Sequence, residues 1–133
     1  MCTIVVSAPG VLTASADLKT SSTLNAGGSP ARVRVAANAG GVLPGLACAV
    51  NLPLNCFRVR VSALSDFNTK PARLGVPNFT AGWRMAGQDP SRGVTTAVVY
   101  NGTHDMLFDL TATLSSGGFI GGTYQADEIV RCE

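Results

Sequence analysis

The chain has 133 residues, 46% hydrophobic and 14% charged, and its ten basic and eight acidic residues leave a net charge of +2. That length holds one domain with one core, and the balance is too apolar and too weakly charged for intrinsic disorder. A coiled coil, a multidomain enzyme and a membrane helix, which needs roughly 18 successive apolar residues, are excluded, and the modest charge names no polyanionic partner.

Apolar runs are short, rich in Val, Thr, Ile and Ala, and closed by Gly, Pro or Asn within ten residues. Such runs read as strands. The pattern predicts them at 3–7, 11–18, 31–37, 57–63, 82–86, 94–100, 105–114 and 123–131. Regular spacing with turn chemistry between strands indicates an all-β antiparallel sandwich or barrel in a single domain.

The first strand alternates Ile4, Val6 and Ala8 ahead of Pro9-Gly10, which forms a hinge because Pro lacks an amide hydrogen and Gly is permissive. Residues 1–10 therefore read as an exchangeable arm. In the second run Leu12, Ala14, Ala16 and Leu18 share one side, which is expected inward. Two segments, Ala31-Arg32-Val33-Arg34-Val35 and Phe57-Arg58-Val59-Arg60-Val61, place arginines at i and i+2 with valines on the opposite face. If these strands are neighbours, Arg32, Arg34, Arg58 and Arg60 form a ladder for sulfated glycan, phosphate or nucleic acid. The alternative is a solvated face whose charge discourages edge pairing.

Leu64, Phe67 and Leu74 have helix-like spacing, but Pro71 limits that stretch to one short helix or a turn. Trp83 reads as a core residue, with ligand stacking the alternative. Asn101-Gly102, between Val94–Tyr100-type and Met106-led apolar runs, predicts a type I′ hairpin. Phe119 and Ile120, held between glycine pairs, either fold back onto the core or form a partner-binding tip.

Cys2, Cys48, Cys56 and Cys132 contain no C-x-x-C pair, so neither a zinc site nor a redox motif is indicated. Four cysteines allow three connectivities. The favoured one closes a compact loop with Cys48–Cys56 and ties the two ends with Cys2–Cys132, while four reduced, buried thiols are the alternative. His104, the single histidine, has no nucleophile in a recognisable motif beside it, and no glycine-rich phosphate loop opens a helix. The expectation is a non-enzyme with no metal and no cofactor. The start also lacks the basic and apolar regions of a secretory signal, so for a secreted chain the leader is expected to be already removed.

The segments Thr80-Ala81-Gly82-Trp83-Arg84-Met85-Ala86-Gly87 and Gly121-Gly122-Thr123-Tyr124-Gln125-Ala126-Asp127-Glu128-Ile129-Val130-Arg131-Cys132 resemble bacterial chaperone-usher fimbrial subunits, the Saf and Dr/Afa-like pilins and tip subunits. The resemblance covers mainly the second half of the chain. It implies an incomplete immunoglobulin-like sandwich, completed first by a periplasmic chaperone and then by a neighbour's N-terminal strand. Ile4, Val6 and Ala8 would then be the pocket fillers of a donor arm. A Cys2–Cys132 bond would oppose exchange and favour a tip or self-complete subunit.

The leading expectation is thus an extracellular, cell-surface structural or adhesive subunit that polymerises with like subunits and meets a host receptor. A virion coat or decoration protein touching nucleic acid through its arginines is the first alternative. A small secreted carbohydrate-binding domain using Trp83 or Tyr124 is the second.

Overall fold

The computed structural model describes residues 1–38, 56–62, 64–89 and 93–132, with Cys56 described by its backbone alone. Alternation of valine with polar residues builds the elements. In β4 (Ala31–Ala37) Val33, Val35 and Ala37 are buried while Arg32, Arg34 and Ala36 are exposed, as a strand with one face on a core requires. The same rule holds in β7 (Thr96–Tyr100), where Ala97 and Val99 are buried between exposed neighbours. Alternation in β5 (Cys56–Val61) buries Val59 and Val61.

The other strands are β1 (Cys2–Ala8), β2 (Thr13–Ala14), β3 (Thr20–Ser22), β6 (Asn78–Met85), β8 (Gly102–Thr113) and β9 (Val130–Cys132). All pairings are antiparallel. The larger sheet is organised by β8. One of its sides carries β6; the other is shared by β4, opposite Gly102–Phe108, and β3, opposite Thr111–Thr113, with β1 outside β4 and β2 outside β3. The smaller sheet runs β7-β5-β9.

The sheets face one another across a core of Val33, Val35, Val59, Val61, Ala97, Val99, Met106, Phe108 and Leu110. The molecule is an all-β antiparallel sandwich. A second cluster, Phe67, Leu74, Ala112, Leu114 and Phe119, closes one end. Trp83 ties the sheets along the β6 and β7 edges: its ring packs on the core and Nε1–H donates to the Thr96 carbonyl at 2.9 Å. Among the described residues no helix is present, and the 64–74 stretch makes a turn in which Leu74 N–H donates to Pro71 O.

Three expectations are corrected here. The Asn101-Gly102 pair does not close a hairpin, because β7 and β8 belong to different sheets. Gly102 alone of the two takes positive φ, at 129°, so the type I′ requirement is unmet and the chain turns a corner between layers. The second predicted strand shrinks to Thr13–Ala14. Ser15 and Asp17 capture the following amides, Thr20 N–H donating to Ser15 Oγ and Lys19 N–H to Asp17 Oδ1, so the chain folds into a tight turn. Leu18 therefore sits at φ 59° and is 48% exposed instead of facing the core. The last strand, expected over nine residues, contracts to Val130–Cys132, because preceding residues bond loops: Gln125 exchanges bonds with Thr69, and Asp127 N–H donates to Asn68 Oδ1.

Candidate functional site

The two terminal strands lie on the same side of the sandwich, one in each sheet. Each has one partner, β4 for β1 and β5 for β9, and one open edge. Ladder alternation sets what those edges present. Asn38 N–H bonds Met1 O, so in β1 the residues Met1, Thr3 and Val5 turn their backbone groups to β4, and those of Cys2, Ile4 and Val6 face outward. Ser62 N–H bonds Ile129 O, so Ile129 and Arg131 turn to β5 and the backbone groups of Glu128 and Val130 face the opposite edge. Among the described residues no partner meets these outward groups.

On both strands the residues with outward backbone groups carry the inward side chains. Ile4, Ala126 and Val130 pack against the core. Val6 points the same way yet is 66% exposed, because nothing covers it. Between the edges lies a groove of about 830 Å³, floored by Val33, Phe108 and Leu110, with Val6 and Leu12 on one wall and Tyr124, Ala126, Glu128 and Val130 on the other.

One end is shut. Cys2 and Cys132 lie at disulfide distance with their Cα atoms 6.2 Å apart. Adjacent strands are spaced about 4.8 Å, so a strand lying between two others needs roughly 9 to 10 Å between them. The groove runs beside residues 122–130, and at the cysteines the spacing is too small for a strand to lie between β1 and β9. Cys48 and the Cys56 side chain, with the pairing expected between them, lie outside the described residues.

Glu128 is the group that stands out chemically. Its Oε1 is buried without a hydrogen-bond partner in the structure. Burial, reinforced by the charge of Asp109, pushes its carboxyl from the ordinary 4.5 up to about 7. Asp109 itself is well held: the Thr23 hydroxyl donates to Oδ1 at 2.8 Å and the Arg84 guanidinium lies 3.2 Å from Oδ2. The Arg84 contact meets the distance of an ion pair without hydrogen-bond geometry, so its contribution is Coulombic.

The remaining predicted residues are dispersed. Ile4, Val6 and Ala8 lie in their own subunit's sheet, opposite Val35, Val33 and Arg32, so residues 1–10 do not form a free arm in this structure. The hydrogen-bonded register and the Cys2 link hold them there. The four arginines do not form one ladder: β4 and β5 are in different sheets, and burial of both valine sets turns Arg32 and Arg34 to one outer face and Arg58 and Arg60 to the other. Arg34 Nε lies 3.0 Å from Asp105 Oδ1 in an exposed pair. Arg131, which the spacing argument omitted, pairs directly with Arg60 across β5 and β9.

Phe119 is buried and cannot form a partner-binding tip; it packs edge-on against Phe67 and Tyr124, with ring centroids 6.3 and 5.8 Å away. Ile120 beside it is 44% exposed. Tyr124 donates its hydroxyl to Ile120 O at 2.6 Å. His104 Nε2 bonds Tyr100 O at 2.6 Å. Among the described residues no three His, Cys, Asp or Glu side chains gather as a metal cluster, and no helix is long and apolar enough to cross a membrane. The signal for Glu128 was present in the sequence: it alternates with Ala126 and Val130, which puts a carboxylate on an inward face.

No protein-family model, curated protein or solved structure matches the chain.

Proposed function

We propose that this protein is a structural or adhesive subunit of an extracellular fibre and that it accepts a β-strand from another subunit in the groove between β1 and β9. Val6 carries the reading: it is an inward-facing residue of a paired strand, yet it is 66% exposed. A sandwich with a missing strand has such a residue. The outward backbone groups on both edges supply the ladder that an added strand would use, and the apolar floor supplies pockets for its alternate side chains. This is the immunoglobulin-like, fimbrial type of assembly, with a chaperone strand as the first occupant. It is a binding role and not a catalytic one.

The same geometry argues against the first strand as a donor. Exchange of β1 would break its ladder with β4 and is tethered by Cys2 to Cys132. A subunit that accepts a strand and gives none belongs at the end of a fibre. A Cys2–Cys132 disulfide suits the oxidising conditions outside the cell.

The test uses the oxidised full chain and a capped nine-residue peptide of alternating valine and threonine. Melting temperature and amide hydrogen exchange are followed as peptide is added. Binding should raise the melting temperature by mass action and protect the amides of Glu128, Val130, Ile4 and Val6. A melting temperature and exchange pattern unchanged at millimolar peptide would overturn the reading and leave a self-complete sandwich.

A further inference from the structure

We infer that the groove selects a strand carrying a lysine or arginine side chain at the position facing Glu128, an inference that rests on the strand-acceptor reading above. The charged side chains lining the groove among the described residues are Asp127 and Glu128, both acidic. Asp109 on β8 adds a third negative charge that acts on Glu128. The Arg84 guanidinium lies against Asp109. Asp127 already accepts from Gln125 Nε2 at 3.1 Å. Asp109 Oδ2 and Glu128 Oε1 are both buried without a hydrogen bond, but Asp109 has the Arg84 guanidinium against it, and Glu128 has no described ion-pair partner.

In the open groove Oε1 is already sealed from water, and only the rest of the half-buried carboxyl that lines the groove meets water. An inserted strand displaces the water and lowers the local dielectric, so the cost of an unpaired carboxylate rises with occupancy. The incoming chain must then bring a donor, and with Asp127 and Glu128 on the wall and the charge of Asp109 acting on Glu128, a cation also offsets their mutual repulsion. Apolar residues satisfy the remaining positions, since Val33, Phe108 and Leu110 line the floor. The predicted partner is therefore an extended segment with alternating apolar residues interrupted once, on the inward side, by a basic residue.

The experiment scans one lysine through the inward positions of the valine-threonine peptide and measures affinity for the full chain. Controls place lysine at an outward position, or glutamine at the best inward one. The protein is tested as wild type, Glu128→Gln and Asp127→Asn, with melting temperature confirming that each variant is folded. One inward lysine register should bind at least tenfold more tightly than the all-valine peptide and the glutamine peptide. That preference should fall below twofold in Glu128→Gln, persist in Asp127→Asn, and shrink below pH 7 as Glu128 becomes protonated. Equal binding of the lysine, glutamine and valine peptides overturns the inference while leaving the groove reading intact. A preference unchanged in Glu128→Gln, or equally strong for outward lysine, overturns it too. Binding by none of the peptides overturns the groove reading itself and the inference with it.

Discussion

Cys2 and Cys132, 130 positions apart in the chain, stand 6.2 Å apart at Cα and link the open edge of β1 in one sheet to that of β9 in the other. β9 has three residues and one partner strand, so its own ladder is short. The link therefore holds the terminal strand in place and restricts the unfolded chain over nearly its whole length. Loops of this size are restrained by roughly 4 to 5 kcal/mol in the chain-entropy account, with measured losses of about 2 to 5. Replacing both residues with alanine should lower unfolding free energy by about 2 to 5 kcal/mol, read from urea titration under nonreducing conditions. A midpoint and slope unchanged from wild type would mean that β9 is held by its other contacts.

Glu128 predicts an inverse pH dependence of stability. Its folded-state carboxyl titrates at about 7 against an ordinary value of 4.5. A raised carboxyl binds more protons folded than unfolded between those values. Stability is therefore greatest, for this group, below pH 4.5, falls as pH rises through 7, and levels off above it. Because the side chain is half-buried and partly solvated, the span is discounted to the order of 2 kcal/mol. Glu128→Gln should remove this component and make the protein more stable than wild type at pH 8. A variant whose pH profile superimposes on wild type would show that solvent already neutralises the burial effect.

Gly28 and Gly75 offer a contrast that needs no functional assumption. A Cβ on Gly28 would meet the Thr23 and Ser22 carbonyl oxygens at 2.7 and 2.8 Å, whereas one on Gly75 would meet nothing within 4 Å. Both oxygens are backbone, and Gly28 N–H is committed to Asn25 O, so the turn cannot relax by moving a side chain. Gly28→Ala should cost about 1 to 3 kcal/mol. Gly75→Ala should stay within about 0.5 kcal/mol of neutral or stabilise slightly. Paired thermal melts decide it; similar losses in both would show that the Thr23 and Ser22 carbonyl oxygens are not what sets Gly28 apart.

The fold was legible where period and burial coincided. Ala31–Ala37 has valine and arginine in strict alternation, and its strand matches the expected range at both ends. The fold was illegible where a local signal competed with a distant partner. Asn101-Gly102 has hairpin chemistry, but Val99 and Met106 are needed on facing sheets of one core, so the chain crosses layers there. Leu18 fits an alternating strand until Ser15 and Asp17 bond nearby amides. The open groove depends on β1 and β9 lying beside each other, a relation between the two ends of the chain that no window of sequence contains. Its components could be seen separately: Ile4 and Val6 as alternating apolar residues, and Cys2 and Cys132 as a pair. The four-arginine ladder failed for the same reason, since spacing fixes the face of a strand but not which sheet receives it.

Arg60 and Arg131 carry the last prediction. They are directly opposed in the β5 and β9 ladder, on the outer face where their neighbours Val59, Val61 and Val130 turn inward. Like charges directly opposed on antiparallel strands destabilise by a few tenths to about 1 kcal/mol. Arg131→Thr should therefore raise unfolding free energy by about 0.5 kcal/mol at low ionic strength. The gain should vanish near 1 M salt, where the Debye length falls to about 3 Å and exposed charges no longer sense one another. A gain of the same size at high salt would assign the effect to threonine's strand preference instead. Sulfate supplies the complementary arm of the measurement: an anion bridging the two guanidinium groups should stabilise wild type more than Arg131→Thr at matched ionic strength. Equal stabilisation of both proteins would identify Arg60 and Arg131 as a solvated pair with no anion-binding role.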